Sequence, residues 1–384
     1  LGIPVLLAFI AIGMGFGTDG ILNITFDNFD GENFEISTEL SQVKKFNGKK
    51  DGDFEIEIKG KNVSGGEKQR IALLTALMQD TDILVLDEPT ANLDRSGIEQ
   101  VASYLSILKQ EGKTILIAEH RLDYLKDLAD RYLYFDQGVL ERDYSKKEFD
   151  SLTETERHDL GLRSQQLSSS ISRLEAKKQV APSPLMGDLT IKNLRLQAGD
   201  QELSFLEEAN FKSGAITALV GPNGKGKSTL AFYLAGLLDD EDATFSLNGH
   251  ALSAHERLKD TAFVLQEVAL QLFSDSVQKE LTLGLKKAVD ASNILENLGL
   301  KGLEDRHPMT LSGGEMQRLV IASQVLTKKR VFIFDEPSSG LDYQQMLQVA
   351  DLLKTLKEQG KIILLISHDE ELLEKTADYF LTLN

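Results

Sequence analysis

The 384-residue chain contains no cysteine. Without thiols it cannot form disulfides, zinc–thiolate sites or cysteine-ligated iron–sulfur clusters. Positive charge is also scarce, because 42 lysines and arginines stand against 60 aspartates and glutamates, for a formal net charge of −18. Proteins that bind nucleic acid normally carry a basic face, and anionic lipids attract polybasic segments. The composition therefore predicts no nucleic-acid partner and gives no polybasic signal for lipid.

Long hydrophobic runs are scarce as well. The one uncharged apolar stretch, residues 1–17, is short for a membrane span and has no basic flank before it. It could be a domain fragment, a truncated membrane or foreign segment, or a signal-like region. Because the first residue is Leu1 rather than methionine, we expect a fragment or a processed start. The length favours two domains, and 41% apolar residues suffice for sizeable cores.

Two parts of the chain repeat each other at a constant offset of 248 residues. The paired segments are Val63-Ser-Gly-Gly-Glu-Lys-Gln-Arg70 with Leu311-Ser-Gly-Gly-Glu-Met-Gln-Arg318, Asp87-Glu-Pro89 with Asp335-Glu-Pro337, and His120 with His368. An offset that never slips over this span indicates a duplicated domain rather than a chance match of short motifs. Apolar runs that alternate with helical patterns predict a parallel sheet with helices packed against it.

A phosphate-binding loop of the form G-x-x-x-x-G-K-S occurs once, between a predicted buried strand and a predicted helix. The residues expected to contact a nucleotide here are Gly221, Pro222, Asn223, Gly224, Lys225, Gly226, Lys227, Ser228 and Thr229. Lys227 would neutralise the β- and γ-phosphates, and Ser228 would ligate Mg²⁺. The first copy has no such loop, so its strands should lack a central neighbour and expose apolar surface.

Acidic and polar side chains follow the predicted strands of the second copy. Asp335 and Glu336 end an apolar run, at the sheet edge where ligands of open parallel sheets bind. Asp335 could hold Mg²⁺ through water, and Glu336 could act as the general base toward the attacking water. Gln266 is a candidate for sensing Mg²⁺ and that water. A lone histidine at a strand end is usually structural, but the repetition of His120 at His368 favours a γ-phosphate contact for His368.

The repeated Ser-Gly-Gly-Glu motif has a structural and a functional interpretation. The structural one is a capping box that starts an apolar helix. It leaves the two glycines unexplained, because glycine makes a helix harder to start, whereas backbone N–H groups without side chains can approach a phosphate. The candidate phosphate-contacting residues are Ser64, Gly65 and Gly66 in the first copy and Ser312, Gly313 and Gly314 in the second.

The order and spacing of these motifs resemble the ATP-binding subunits of ABC transporters, over roughly residues 61–142 and 187–384. The resemblance implies an α/β fold of the P-loop NTPase type in two tandem copies, the first incomplete. Each copy would be a mainly parallel sheet with flanking helices, and the second would add an antiparallel β subdomain and a helical subdomain. It further implies an intramolecular or intermolecular dimer of ATPase domains, in which ATP on one phosphate loop is capped by the other domain's Ser-Gly-Gly motif.

The segment Gln266-Glu-Val-Ala-Leu-Gln-Leu-Phe273 is similar to the same region of energy-coupling-factor importers. That similarity implies an ATP hydrolase, peripheral on the cytoplasmic face of the cell membrane, that couples MgATP hydrolysis to uptake of a vitamin, vitamin precursor or metal ion. Its partners would be the membrane-embedded coupling and substrate-binding subunits. Two alternatives stay open: an ABC ATPase that acts on the ribosome or nucleic acid, and an inactive truncated product. The expected domains are residues 61–142 and 187–384, with 143–186 as linker and 1–60 unassigned.

Overall fold

A computed structural model describes residues 81–165 apart from 92 and 137, and residues 188–383 apart from 200 and 286–289. Four strands between residues 24 and 58 are described by their backbone. The chain divides into two compact units, Leu1–Glu119 and His120–Asn384. The first Ser-Gly-Gly motif, residues 64–66, lies outside the described residues.

The first unit contains a four-stranded antiparallel sheet and a separate pair of parallel strands. Its elements are β1 (Ile24–Phe29), β2 (Asn33–Thr38), β3 (Val43–Lys49), β4 (Phe54–Ile58), β5 (Ile83–Asp87), α1 (Arg95–Gln110) and β6 (Thr114–Ala118). Strand β4 contains Phe54, Ile56 and Ile58 at alternate positions, a sequence pattern typical of β structure. Of the β5 side chains, Leu84 is buried, whereas Ile83 and Val85 are 64% and 60% exposed. The predicted exposure of apolar surface in the first copy is therefore confirmed for these residues.

The second unit is built on a five-stranded parallel sheet in the order β14-β15-β16-β11-β17 and a four-stranded antiparallel sheet in the order β10-β9-β12-β13. The strands of the unit are β7 (Arg131–Asp136), β8 (Val139–Ser145), β9 (Leu189–Ala198), β10 (Gln201–Phe211), β11 (Ala215–Val220), β12 (Thr244–Leu247), β13 (His250–Ala251), β14 (Thr261–Val264), β15 (Val331–Asp335), β16 (Ile362–Ile366) and β17 (Tyr379–Thr382). Every residue of β11, β15 and β16 is buried, as expected for continuous apolar strands covered on both faces.

Helices cover the parallel sheet and form a separate helical subdomain. The helices are α2 (Lys146–Ser151), α3 (Glu154–Asp159), α4 (Lys227–Ala235), α5 (Ala254–Asp260), α6 (Val277–Thr282), α7 (Ser292–Asn297), α8 (Gly313–Val325), α9 (Tyr343–Glu358) and α10 (Glu370–Thr376), with 3₁₀ turns at Val268–Gln271 and Pro308–Thr310. Leu281 of α6, Leu295 of α7 and Leu319 of α8 share one buried apolar cluster. The predicted antiparallel and helical additions to the second copy are thus both present.

The duplication seen in the sequence is reproduced in the elements. Helices α1 and α9 are each 16 residues long and start at the same offset of 248. Each is capped by an aspartate, with Asp94 accepting from the N–H of Gly97 at 2.9 Å and Asp342 accepting from the N–H of Gln345 at 2.8 Å. The same offset relates β5 to β15 and β6 to β16. The strand that carries the phosphate loop, β11, has no counterpart at this offset.

Part of the predicted linker is folded. Strands β7 and β8 form an antiparallel hairpin that runs to residue 145, and α2 and α3 follow it at once. Both helices begin with a capping box, formed by Ser145 with Glu148 and by Thr153 with Glu156. Phe149 is buried and stacks on Tyr132 of the hairpin. The polar residues that predict a linker from residue 143 are therefore, up to residue 159, part of two short helices and their caps.

Candidate functional site

The phosphate loop follows β11 and leads into α4, and its backbone requires glycine at two positions. Gly221 has φ +140°, and a side chain there would place its Cβ 2.2 Å from the carbonyl oxygen of Leu383. Gly226, the residue that caps α4, has φ +89°. Such left-handed conformations are accessible to glycine at little cost. The loop therefore leads the chain into the N-terminus of α4, where helix N–H groups favour an anion.

Two of the predicted loop side chains lie at the core of the site. Lys227 is buried, and its ammonium donates to the carbonyl oxygens of Gly221 at 2.7 Å and Pro222 at 3.0 Å. The hydroxyl of Ser228 donates to Asp335 Oδ2 at 2.8 Å. Residues 107 positions apart in sequence thus supply two neighbouring oxygen atoms beside the loop. Each of the two residues is predicted from the sequence as a Mg²⁺ ligand, and the structure brings their side-chain oxygens within hydrogen-bond distance.

Glu336 is buried directly beyond the end of β15, with a left-handed backbone at φ +49°. Its carboxylate accepts hydrogen bonds from the N–H of His368 at 3.1 Å and from the hydroxyl of Ser367 at 3.3 Å. Burial raises the pKa of Glu336 to about 7, although the charge of Arg121 opposes the rise. Burial likewise raises the pKa of Asp335 to about 6. A carboxyl group whose pKa lies near neutrality is suited to accept a proton at neutral pH.

His368 connects the loop with this carboxylate. Its Nε2 lies 3.1 Å from Asn223 Oδ1 in the phosphate loop and 4.0 Å from Glu336 Oε1. The sequence predicts all three residues in the site, and the structure brings them together. The direct contact between His368 and the Asn223 side chain was not predicted, because the loop motif indicates a role for Asn223 only as part of the phosphate loop.

The Ser-Gly-Gly-Glu motif of the second copy starts α8 and forms a capping box there, as its structural interpretation predicts. The hydroxyl of Ser312 accepts from the N–H of Glu315 at 3.3 Å, and the carboxylate of Glu315 accepts from the N–H of Ser312 at 2.8 Å. A Cβ added at Gly314 would lie 3.1 Å from Leu341, whereas one added at Gly313 would meet nothing within 4 Å. Gly314 is therefore explained by packing, whereas the space beside Gly313 is open.

Gln266 is exposed two residues beyond the end of β14. This strand pairs in parallel with β15, with Val264 opposite Phe334, so Gln266 lies at the same sheet edge as Asp335.

The first copy has the same backbone conformation at its own acidic pair, Asp87 and Glu88. Glu88 has φ +43°, and its N–H donates to the carbonyl of Ala118, as that of Glu336 does to Ile366.

The segment that follows Gln266 is held firmly and exposes two apolar side chains. The carboxylate of Glu280, itself buried, accepts from the N–H of Phe273 at 2.9 Å and from the N–H of Ser274 at 2.7 Å. Leu270 and Phe273 are 64% and 78% exposed, and we call these two residues the apolar patch. Leu272, which lies between them in sequence, instead packs against two buried clusters.

Comparison with known proteins identifies the family to which the chain belongs. The ABC transporter family model matches residues 22–91 and 207–339. The chain belongs to the ABC transporter ATP-binding family. It is thus an ATP-binding chain of an ATP-hydrolysing family, in agreement with the resemblance seen in the motifs. The match begins at residue 22, inside the segment that the sequence analysis leaves unassigned.

Individual relatives agree with the family and extend beyond this chain. An ABC transporter ATP-binding protein of Treponema denticola is 37% identical, over 84% of this chain and 66% of its own length. The HMP/thiamine import ATP-binding protein YkoD of Bacillus subtilis is 30% identical, over 84% and 64%. A solved chain described as ribosome-bound archaeal Pelota and ABCE1 superposes with a TM-score of 0.63 at 25% identity, covering 83% of this chain and 53% of that one. The chain therefore spans about two thirds of the length of these curated relatives.

Proposed function

We propose that this chain is the ATP-hydrolysing component of an importer and acts on the cytoplasmic face of a membrane through membrane-embedded partners. The observation that carries the importer proposal is the apolar patch, whose two residues lie four and seven positions after Gln266 and whose Phe273 backbone is held by Glu280. Exposed apolar side chains on a rigid loop are typical of a protein contact. The similarity to a thiamine-import relative supports a vitamin, vitamin precursor or metal ion as the transported solute.

In the proposed site, nucleotide binding and hydrolysis use separate residues. Lys227 and the loop N–H groups would bind the phosphates, and Glu336 would accept a proton from the attacking water. His368 would contact the γ-phosphate. This assignment of roles rests on the burial and hydrogen bonds of the second copy.

Magnesium fits the oxygen donors beside the loop. Among the described residues, no group of three or more histidine, aspartate or glutamate side chains could hold a metal by itself. Mg²⁺ needs no such cage, because it commonly binds through one or two protein oxygens together with water and substrate phosphates. Ser228 and Asp335 would hold it, with Gln266 at the same sheet edge. The metal would neutralise phosphate charge during hydrolysis.

A ribosome-acting ATPase is the second candidate, because the solved chain with a TM-score of 0.63 is described as ribosome-bound. The net charge of −18 is unfavourable for contact with RNA phosphates. Within the described part of the chain, no helix is both long and apolar enough to cross a membrane.

Cell fractionation separates the two candidates. The chain is produced with and without a candidate multi-spanning membrane protein, and membranes, ribosomes and supernatant are then separated on a gradient. We expect the chain in the membrane fraction only when the membrane protein is present. Cosedimentation with ribosomes, unaffected by the membrane protein, would support the ribosomal candidate and contradict the importer.

A further inference from the structure

Arg163 belongs to the segment that follows the first copy, yet its side chain is buried against two loops of the second copy. Its Nη2 lies 2.9 Å from Asp369 Oδ2, and its Nη1 lies 3.3 Å from Glu371 Oε2. Its Nε donates to the carbonyl oxygen of Leu341 at 3.2 Å. The N–H of Ser164 adds a hydrogen bond to Glu371 at 3.1 Å. One guanidinium group therefore joins the loop before α9 to the first turn of α10.

The residues just before Arg163 contact the start of α9. The carbonyl of Gly161 accepts from the N–H of Tyr343 at 3.0 Å. The ring of His158 stacks on that of Tyr343 with centroids 3.7 Å apart, and its carbonyl accepts from the amide of Gln344 at 3.0 Å. Residues 158–164 thus pack against the second copy through several contacts. These contacts fix the position from which the Arg163 side chain reaches into the second copy.

Asp369, the partner of Arg163, is connected to the candidate catalytic carboxylate. It follows His368 directly, and its N–H donates to the hydroxyl of Ser367 at 3.0 Å. Ser367 in turn donates to Glu336 Oε2 at 3.3 Å. The carboxylate of Asp369 also accepts from the hydroxyl of Ser338 at 2.6 Å, in the loop that follows Glu336. A shift of Asp369 would therefore move the loops on both sides of Glu336.

The charge of Arg163 balances this buried aspartate. Burial opposes ionisation of Asp369, but the positive charge of Arg163 and the Ser338 hydroxyl lower the pKa of this carboxyl below its ordinary value. Removal of the guanidinium would leave a buried anion without its main partner. Structures relieve such a cost by moving the group toward water or by protonating it. Either response would disturb the hydrogen bonds that fix the loop around His368.

We propose that Arg163 is a positioning residue for ATP hydrolysis, which acts through Asp369 to hold Glu336 and His368 in place. The proposal rests on the proposed role of Glu336 as the general base. It makes the hydrolytic site of the second copy dependent on a segment that follows the first copy in the chain. The dependence is expected in the rate of hydrolysis rather than in nucleotide affinity, since the Arg163 side chain contacts Leu341, Asp369 and Glu371 and not the phosphate loop.

Arg157 provides a matched control, because it is an equally buried arginine of the same segment. Its guanidinium contacts Glu154, the carbonyl of Phe149 and the side chain of Gln165, all within residues 149–165. Arg163→Met should lower kcat roughly 10- to 100-fold, the loss typical of a misplaced catalytic group, and change KM for ATP by less than about twofold. Arg157→Met should leave kcat within about threefold of the unmodified chain, because it breaks none of the contacts to the second copy.

Steady-state hydrolysis by the full chain, with melting temperatures recorded for each variant, decides the matter. Equal losses of kcat in both methionine variants, or an unchanged kcat in Arg163→Met, would overturn the proposal. If Arg163→Met does not fold, Arg163→Lys takes its place, because lysine keeps the charge but lacks the planar, multi-donor guanidinium group. A fall in kcat of about fivefold is then expected. An unchanged kcat would overturn the proposal. Unimpaired hydrolysis by Glu336→Gln would instead refute the proposed site, whatever the Arg163 variants do.

Discussion

Replacement of Glu336 by glutamine is expected to leave MgATP binding within a few-fold of normal and to slow hydrolysis roughly 10²–10⁴-fold. The amide keeps the shape of the side chain but cannot take a proton from water. The loss should be large because the carboxylate is buried, has a pKa of about 7 and lies 4.0 Å from the imidazole of His368. Single-turnover hydrolysis measured beside equilibrium nucleotide binding separates the two effects.

The matched control for this experiment is Glu88→Gln in the first copy. Glu88 has nearly the same backbone conformation as Glu336, with φ +43° against +49°. The two residues also occupy equivalent places, 248 positions apart, after their strands. The first copy contains no phosphate loop in this sequence, so the change should reduce hydrolysis by less than about threefold. Equal losses from the two substitutions would show that the two copies are not functionally different.

The second large effect is expected at the membrane contact. Phe273→Asp should weaken binding to the membrane-embedded partner at least about 100-fold, because burial of a phenylalanine contributes on the order of 3 kcal/mol and a buried aspartate adds a further cost. Hydrolysis by the isolated chain should be unaffected, since Phe273 is 78% exposed and its backbone is held by Glu280. Pull-down of the membrane partner over a series of chain concentrations measures the contact.

Leu237→Asp is the control for general effects of a new surface charge. Leu237 is a 53% exposed apolar residue that follows α4, outside the segment after Gln266. The Leu237→Asp variant should bind the membrane partner as the unmodified chain does. If Phe273→Asp is also recovered with the membrane partner at normal yield, the apolar patch has no part in coupling.

Local patterns in the sequence predict most of the fold. Continuous apolar runs place β11, β15 and β16, because buried parallel strands have no polar face. The repeat predicts that α1 and α9 start at equivalent positions. The phosphate loop and the acidic strand end predict which residues meet at the site, since the carboxyl ends of parallel strands share one edge.

Polar residues build the parts of the fold that the sequence does not predict. The capped helices α2 and α3 are hidden in a polar stretch, although the Ser145–Glu148 and Thr153–Glu156 spacings are the signal that could have revealed them. The ion pair of Arg163 with Asp369 joins residues 206 positions apart. No periodicity or local motif encodes such a pairing, because it depends on how a distant segment packs. The packing of the partly buried Leu272 against two clusters also depends on distant segments.

The most direct test of the account is an equilibrium titration of the chain with a non-hydrolysable MgATP analogue. A single tight site per chain is expected, because the sequence contains one phosphate loop. Lys227→Ala should abolish tight binding, whereas Lys301→Ala, a change in an exposed lysine outside the phosphate loop, should leave it unchanged. Two equivalent tight sites, or tight binding that survives in Lys227→Ala, would contradict the account.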